Sequence, residues 1–186
     1  MNDTYFGQLL ISMPNLKDPF FQKTVILICE FSKQAIMGLI INKPIDNIKI
    51  VDILKNIQLN VNHEFVNRDV FLGGPVHTGQ GFIIHSSECD YEGSQIINKN
   101  LKLTTSLKIL KDISNNKPPK FYKVILGCSV WGYKQFNNEM LENSWHLMNA
   151  ANEIIFQYDN LDKLWETCIE ESGIIKERLN PYHGNA

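Results

Sequence analysis

The chain has 186 residues, 44% of them hydrophobic and 20% charged, with a formal net charge of −2. That balance describes a globular chain able to bury most of its apolar surface, and it excludes a disordered one. It also excludes a global electrostatic attraction to nucleic acid or to an anionic membrane.

Two apolar runs open the sequence, Gly7 to Met13 and Thr24 to Phe31, and both read as buried strands separated by a polar loop. After the short Ser32–Ala35 turn, the run Ile36 to Lys43 forms a hairpin with the second strand. Asn42-Lys43-Pro44 is expected to end it, because Pro44 has no N–H for a continuing ladder. Apolar residues at Ile50, Ile53, Leu54 and Ile57 then repeat with the period of an amphipathic helix.

Asp69 to Val76 and Gly81 to Ser86 read as the next pair of strands, joined by a loop through Gly79, with Gly73-Gly74-Pro75 interrupting regular pairing. Extended structure is expected over Ser94 to Leu103. Thr104, Thr105 and Ser106 follow as a capping cluster, opening a helix with the stripe Leu107, Leu110 and Ile113 that stops at Pro118-Pro119. Phe121 to Leu126 is the next strand, and Gly127 to Gly132 reads as its turn into a helix over Tyr133 to Asn143. Ser144 to Asn149 is read either as a continuation of that helix or as a strand. The last helix runs from the Asn160 cap to Gly173.

Strands and helices interleave around an early hairpin. The predicted class is α/β: one compact domain over residues 1–179, with a mixed sheet flanked by helices, and a loose tail at 180–186. Cys29, Cys89, Cys128 and Cys168 are widely spaced, giving neither a zinc-ribbon pattern nor a disulfide framework. The opening residues lack a basic signal-peptide region, and the apolar run Ile36–Ile41 is far too short to span a bilayer. A cytoplasmic protein without membrane insertion is expected.

Charge is unevenly spread. Between Lys99 and Lys134 eight lysines face Asp112 alone, a local charge of +7; between Glu139 and Glu177 nine acids face two lysines, or −7. These segments either neutralise one another and stay solvated, or the first forms a basic face for an anionic ligand.

Six blocks taken in order, Ser12–Phe21, Met37–Pro44, Val70–Val76, Gly81–His85, Leu103–Leu107, and Trp131-Gly132 with Gln135, Glu139, Asn143 and Trp145, resemble the AlgH/YqgE family of bacterial cytosolic proteins. The resemblance implies a compact α/β fold with a mixed sheet and a biochemical activity that is not established. The family's association with transcriptional regulation does not identify a DNA-binding motif, and this sequence has no helix-turn-helix pattern with basic recognition residues. It departs from the family at Cys128, Val130 and Lys134, where Tyr, Gly and Gly are common. Two missing glycines weigh against a phosphate-cradling turn there.

Candidate chemistry is thin. Ser129 follows a strand, but a nucleophile elbow requires a small residue where Trp131 stands. Cys128, placed at a helix start, is either an activated thiol or a buried inert one. Glu139, Glu142 and His146 share a helical arc only if the helix continues, and His85, Glu88 and Cys89 lack a recognised ligand spacing. His63, His77 and His183 have no evident partners. Neither catalytic residues nor a metal or cofactor are assigned. The expected ligand-binding surface unites Asn42, Lys43, Gly73, Gly74, Thr104, Thr105, Ser106, Trp131, Gly132 and Gln135, at the ends of regular elements. Its occupant is a small anionic ligand or a protein partner. An enzyme acting on a small anion and a nucleic-acid-associated regulator using segment 99–134 are the alternatives.

Overall fold

The computed structural model of the chain describes residues 5–59, 68–156 and 160–173. His63, His183 and the expected tail at 180–186 lie outside these. The chain begins with three antiparallel neighbours, β1 (Gln8–Ser12), β2 (Val25–Phe31) and β3 (Ala35–Ile40), so the early hairpin forms as expected. Pro44 does not close this region; it opens β4 (Pro44–Lys49), an edge strand where its missing N–H has no sheet partner to disappoint. Helix α1 (Ile50–Asn56) follows, its first turn held by the Asp52 carboxylate accepting from the Lys49 N–H at 2.9 Å.

The next strands depart from the expected hairpin. β5 (Asp69–Leu72) and β6 (Val76–Ser86) do not pair with one another. Each instead pairs with β9 (Tyr122–Gly132), β5 in parallel and β6 antiparallel, so β9 lies between them. Gly73 and Gly74 carry the chain across β9. Between β6 and β9 in sequence, β7 (Gln95–Asn98) and β8 (Leu101–Thr104) form a hairpin, and α2 (Leu107–Ser114) follows. After β9 come α3 (Tyr133–Leu141), β10 (Trp145–Asn149), α4 (Asn152–Phe156) and α5 (Leu161–Glu171).

One ten-stranded sheet results, ordered β10-β1-β2-β3-β9-β6-β8-β7, with β5 beside β9 and β4 beside β5. It is mixed, but antiparallel everywhere except at β5–β9. The sheet curls: the Gln95 amide of β7 donates to the Cys29 carbonyl of β2 at 3.0 Å, although the two strands stand far apart in the hydrogen-bonded order.

Alternation along the strands divides the core between two faces. Leu9, Ile11, Val25, Leu27 and Ile125 join one large cluster, covered by Leu164, Trp165 and Ile169 of α5. The Trp165 indole anchors that helix by donating to the Ser12 carbonyl at 2.7 Å. The opposite face carries two clusters. Ile83, Val70 and Val124 pack under α1 and α2, while Leu10, Ile26, Ile36 and Trp131 pack against Phe136 of α3.

The stretch Gly127–Gly132 is therefore strand, not turn: Val130, Trp131 and Gly132 pair with Met37, Ile36 and Ala35 of β3. Gly127, at φ 74°, forms an irregularity inside β9 without ending it.

Candidate functional site

The expected site residues separate into three groups. Asn42 and Lys43 tie the sheet together: Asn42 Oδ1 accepts from Val25 N at 2.8 Å, its amide donates to the Lys23 carbonyl at 2.9 Å, and Lys43 Nζ donates to the Phe20 carbonyl at 2.6 Å. Burial lowers the Lys43 pKa, partly offset by Asp18. The Lys43 carbonyl receives the Leu72 N–H at 2.8 Å, so this corner and Gly73 do meet.

At that corner Gly73 N–H donates to the Leu126 carbonyl at 2.8 Å, and its own carbonyl accepts from Ile40 N at 3.0 Å and Ser129 Oγ at 3.1 Å. A Cβ on Gly74 would lie 2.2 Å from the Cys128 carbonyl carbon. These glycines place backbone directly on backbone.

Trp131, Gly132 and Gln135 belong elsewhere. The Glu139 carboxylate accepts from the Trp131 indole at 3.1 Å, the Trp145 indole at 2.7 Å and the Gln135 amide at 2.8 Å. The two indoles meet edge-on with centroids 5.8 Å apart, and Phe21 packs against both. Trp131 lies only two residues beyond Ser129, whose hydroxyl meets Gly73, but its ring is buried against Phe136 of α3. Asn42, Gly73, Gly74, Thr104 and Trp131 are buried, so the ten expected residues do not form one exposed surface.

Thr104, Thr105 and Ser106 also part company. Thr104 ends β8, paired with Ile83, instead of opening the helix. Ser106 is the N-cap, accepting from Lys108 N at 3.3 Å. Thr105 is exposed and lines a groove of about 450 Å³ between α1, α2 and the sheet.

That groove is the best-formed site near the expected residues. Ile53 and Ile57 form one wall, Leu107 and Leu110 the other, and Ile83, Val124 and Leu126 the floor. Asn56, Gln80 and Thr105 supply polar atoms at the rim; among the described residues no charged side chain lines it. A large bulge shapes its end. Val76 faces Cys128 and Gly81 faces Leu126, so five steps along β6 span two along β9, and His77–Gln80 swing outward. A Cβ at Gly79 or Gly81 would meet nothing within 4 Å. Leu107 is 61% exposed at the edge of the groove.

Sequence reasoning found only Thr105 among these residues. Gly79 was expected in a loop and Gly81 at a strand start, whereas both lie in β6, and their opening above an apolar floor depends on the non-local register of β6 with β9.

The catalytic candidates lose their geometry. Cys128 is buried inside β9, not at a helix start, and burial pushes its thiol pKa up. Ser129 is fully buried and donates to Gly73. His146 stands on β10, so the Glu139–Glu142–His146 arc does not form. His85 is fully buried with Nδ1 2.9 Å from the Ser86 carbonyl, and burial lowers its pKa. Among the described residues, no group of three or more His, Cys, Asp and Glu side chains could hold a metal ion. The lysine-rich segment is less basic than its count suggests: Lys102 is buried against Asp90 at 2.5 Å, and Lys123 is buried under Phe71.

Fold and groove together define a largely sheet α/β protein with a curled mixed sheet and a concave site on one face. Residues 9–177 match the AlgH-like family, and the chain belongs to it. It is 35% identical over 182 residues to a UPF0301 protein of Pseudoalteromonas translucida, covering 97% of both chains. It is 37% identical over 185 residues to one of Vibrio parahaemolyticus, covering 97% of this chain and 98% of that one. The solution structure of the AlgH protein from Pseudomonas aeruginosa superposes with a TM-score of 0.76 at 28% identity, covering 98% and 97% of the two chains. A protein of Corynebacterium diphtheriae shares the fold at a TM-score of 0.69 and 16% identity, over 89% and 85%. This is a family without an established function. Among the described residues no helix is long and apolar enough to cross a membrane.

Proposed function

We propose that the protein is a binding module whose α1–α2 groove takes the uncharged, apolar part of a small molecule. The observation carrying this reading is the groove's composition: aliphatic walls and floor, amide and hydroxyl groups at the rim, and no charged side chain among the described residues lining it. Its volume falls in the range of small-molecule sites, and such sites combine apolar walls with a few placed polar groups. A charged group would lose hydration there without gaining a partner. The ligand's charged or polar end, where it has one, belongs at the rim near Asn56, Gln80 and Thr105.

Gly81 provides the test. It faces into the groove from the same side of β6 as Ile83, and a Cβ there has open space. Gly81→Leu should fill the site without disturbing the fold. Binding of the uncharged dye Nile red should fall at least tenfold while the thermal midpoint stays within a few degrees. Unchanged dye binding by a folded variant would reject the groove as the site.

The lysine-rich segment supports the nucleic-acid alternative less well, because Lys102 and Lys123 are withdrawn from solvent. Steep salt dependence of duplex binding would be its signature.

A further inference from the structure

A second concavity, of about 650 Å³, lies on the same face near the start of β9. Its walls are Ile113 at the end of α2, the Pro118-Pro119 pair and the Tyr122 ring, with Lys117, Lys120 and Glu88 among the residues around them. It shares no lining residue with the α1–α2 groove.

The loop that builds it is tied down at both ends. Lys117 N–H donates to the Asp112 carbonyl at 2.9 Å, and Asn116 N–H to the Ile113 carbonyl at 3.0 Å. The Tyr91 hydroxyl donates to the Pro118 carbonyl at 3.2 Å. At the far end Glu88 Oε1 accepts from Lys120 N at 2.5 Å and from Ser86 Oγ at 2.8 Å, while Ser86 Oγ also receives the Phe121 N–H at 3.0 Å. Burial alone would raise the Glu88 pKa; these hydrogen bonds outweigh it and hold the carboxyl below its ordinary value. The carboxylate is thus committed to fixing the loop.

Lys117 and Lys120 are both exposed, and neither forms an ion pair among the described residues. Against the single charge of Glu88 they leave the site a net +1. Among the described residues the buried Tyr122 hydroxyl has no hydrogen-bond partner, and the Arg68 guanidinium lies 4.8 Å from the centre of its ring. A preorganised apolar wall with two exposed ammonium groups at its mouth is a combination that an anion with an apolar body would satisfy.

We propose that this concavity is a binding site for a small organic anion with a flat apolar body. The body lies against Tyr122, Ile113 and the proline pair, and the anionic group faces Lys117 and Lys120. The chemistry differs from that of the uncharged groove, so either site can fail without the other.

The test uses three probes on the full chain followed by ¹H–¹⁵N NMR: phenyl phosphate, phenol and inorganic phosphate. Phenyl phosphate should give saturable shifts at Glu88, Lys117, Lys120 and Tyr122, with phenol and phosphate each at least tenfold weaker. The double variant Lys117→Ala/Lys120→Ala should lose at least tenfold for phenyl phosphate, whereas Lys134→Ala, at an exposed lysine of α3 lining neither concavity, should bind it unchanged. Equal binding of inorganic phosphate would reduce the site to two surface lysines and overturn the proposal. So would unchanged phenyl phosphate binding in the double variant, or no saturable shifts at these residues.

Discussion

Gly73 lies so close to Gly127 that a Cβ on Gly73 would stand 2.2 Å from the Gly127 carbonyl oxygen. A Cβ on Gly127 would in turn come 2.7 Å from the Gly74 carbonyl oxygen, at a backbone φ of 74° that side chains disfavour. This backbone crossing lets β5 and β6 flank the same strand, and it sets the floor of the groove.

Gly73→Ala should therefore destabilise the protein by about 3 kcal/mol or more, since the obstructing atoms are backbone and cannot swing away. Gly79→Ala is the control: its Cβ meets nothing within 4 Å, and its effect should stay within about 0.5 kcal/mol. Urea unfolding monitored by circular dichroism measures both. Equal stability of the two variants would contradict the crossing.

Glu139 joins three donors, so its removal should cost more than one hydrogen bond. Glu139→Ala leaves the Trp131 and Trp145 indole N–H groups without their acceptor. The expected loss is about 2–4 kcal/mol, with a red shift of tryptophan emission as water reaches the rings. Glu139→Gln keeps an acceptor oxygen and should lose less. Identical losses for Ala and Gln would mean that the indoles do not depend on that carboxyl position.

Lys123 predicts the sign of a pH effect. Burial lowers its pKa to about 7, with Asp69 raising it in part; its Nζ donates to the Ile41 carbonyl at 2.7 Å and lies 4.1 Å from the Phe71 ring centre. Asp69 is itself paired with Lys49. In the unfolded chain Lys123 titrates near 10.4. As pH falls from about 10 to 7 the unfolded state takes up the proton first, so Lys123 contributes a decline in stability across that window. Above about 8.5 it is opposed by the thiols whose pKa burial raises. His85, whose pKa burial also lowers, adds a decline of the same sign below about 6.5. Lys123→Met should make the stability change from pH 10 to 7 more favourable to the folded state and leave the lower window as it is. An unaltered slope between pH 7 and 10 in that variant would show that Lys123 is not the group responsible.

The local elements were legible wherever a single periodicity governs them. β1 to β3, α1, α2, α3 and α5 follow from alternation, from the 3.6-residue stripe and from caps such as Ser106 and Asn160, which accepts from Lys163 N at 3.2 Å. The exceptions are non-local. β9 extends to Gly132 because β3 pairs with its second half, whereas glycines at 127 and 132 resemble a turn when read alone. Pro44 begins a strand because an edge position tolerates it. β5 and β6 resemble a hairpin until β9, some fifty residues on, inserts between them. The candidate site followed the same division. Thr105 was found from its helix, but the groove's floor arises from strand register and its far wall from α1, neither of which the local pattern around Thr105 contains.

The α1–α2 groove is tested most directly by ¹H–¹⁵N NMR titration of the wild-type protein and Gly81→Leu with n-octanol. Saturable shifts at Ile57, Gly79, Thr105, Leu107 and Leu126 in the wild type, absent from a folded Gly81→Leu, are the predicted result. Shifts that avoid these residues, or that persist in the variant, would contradict it.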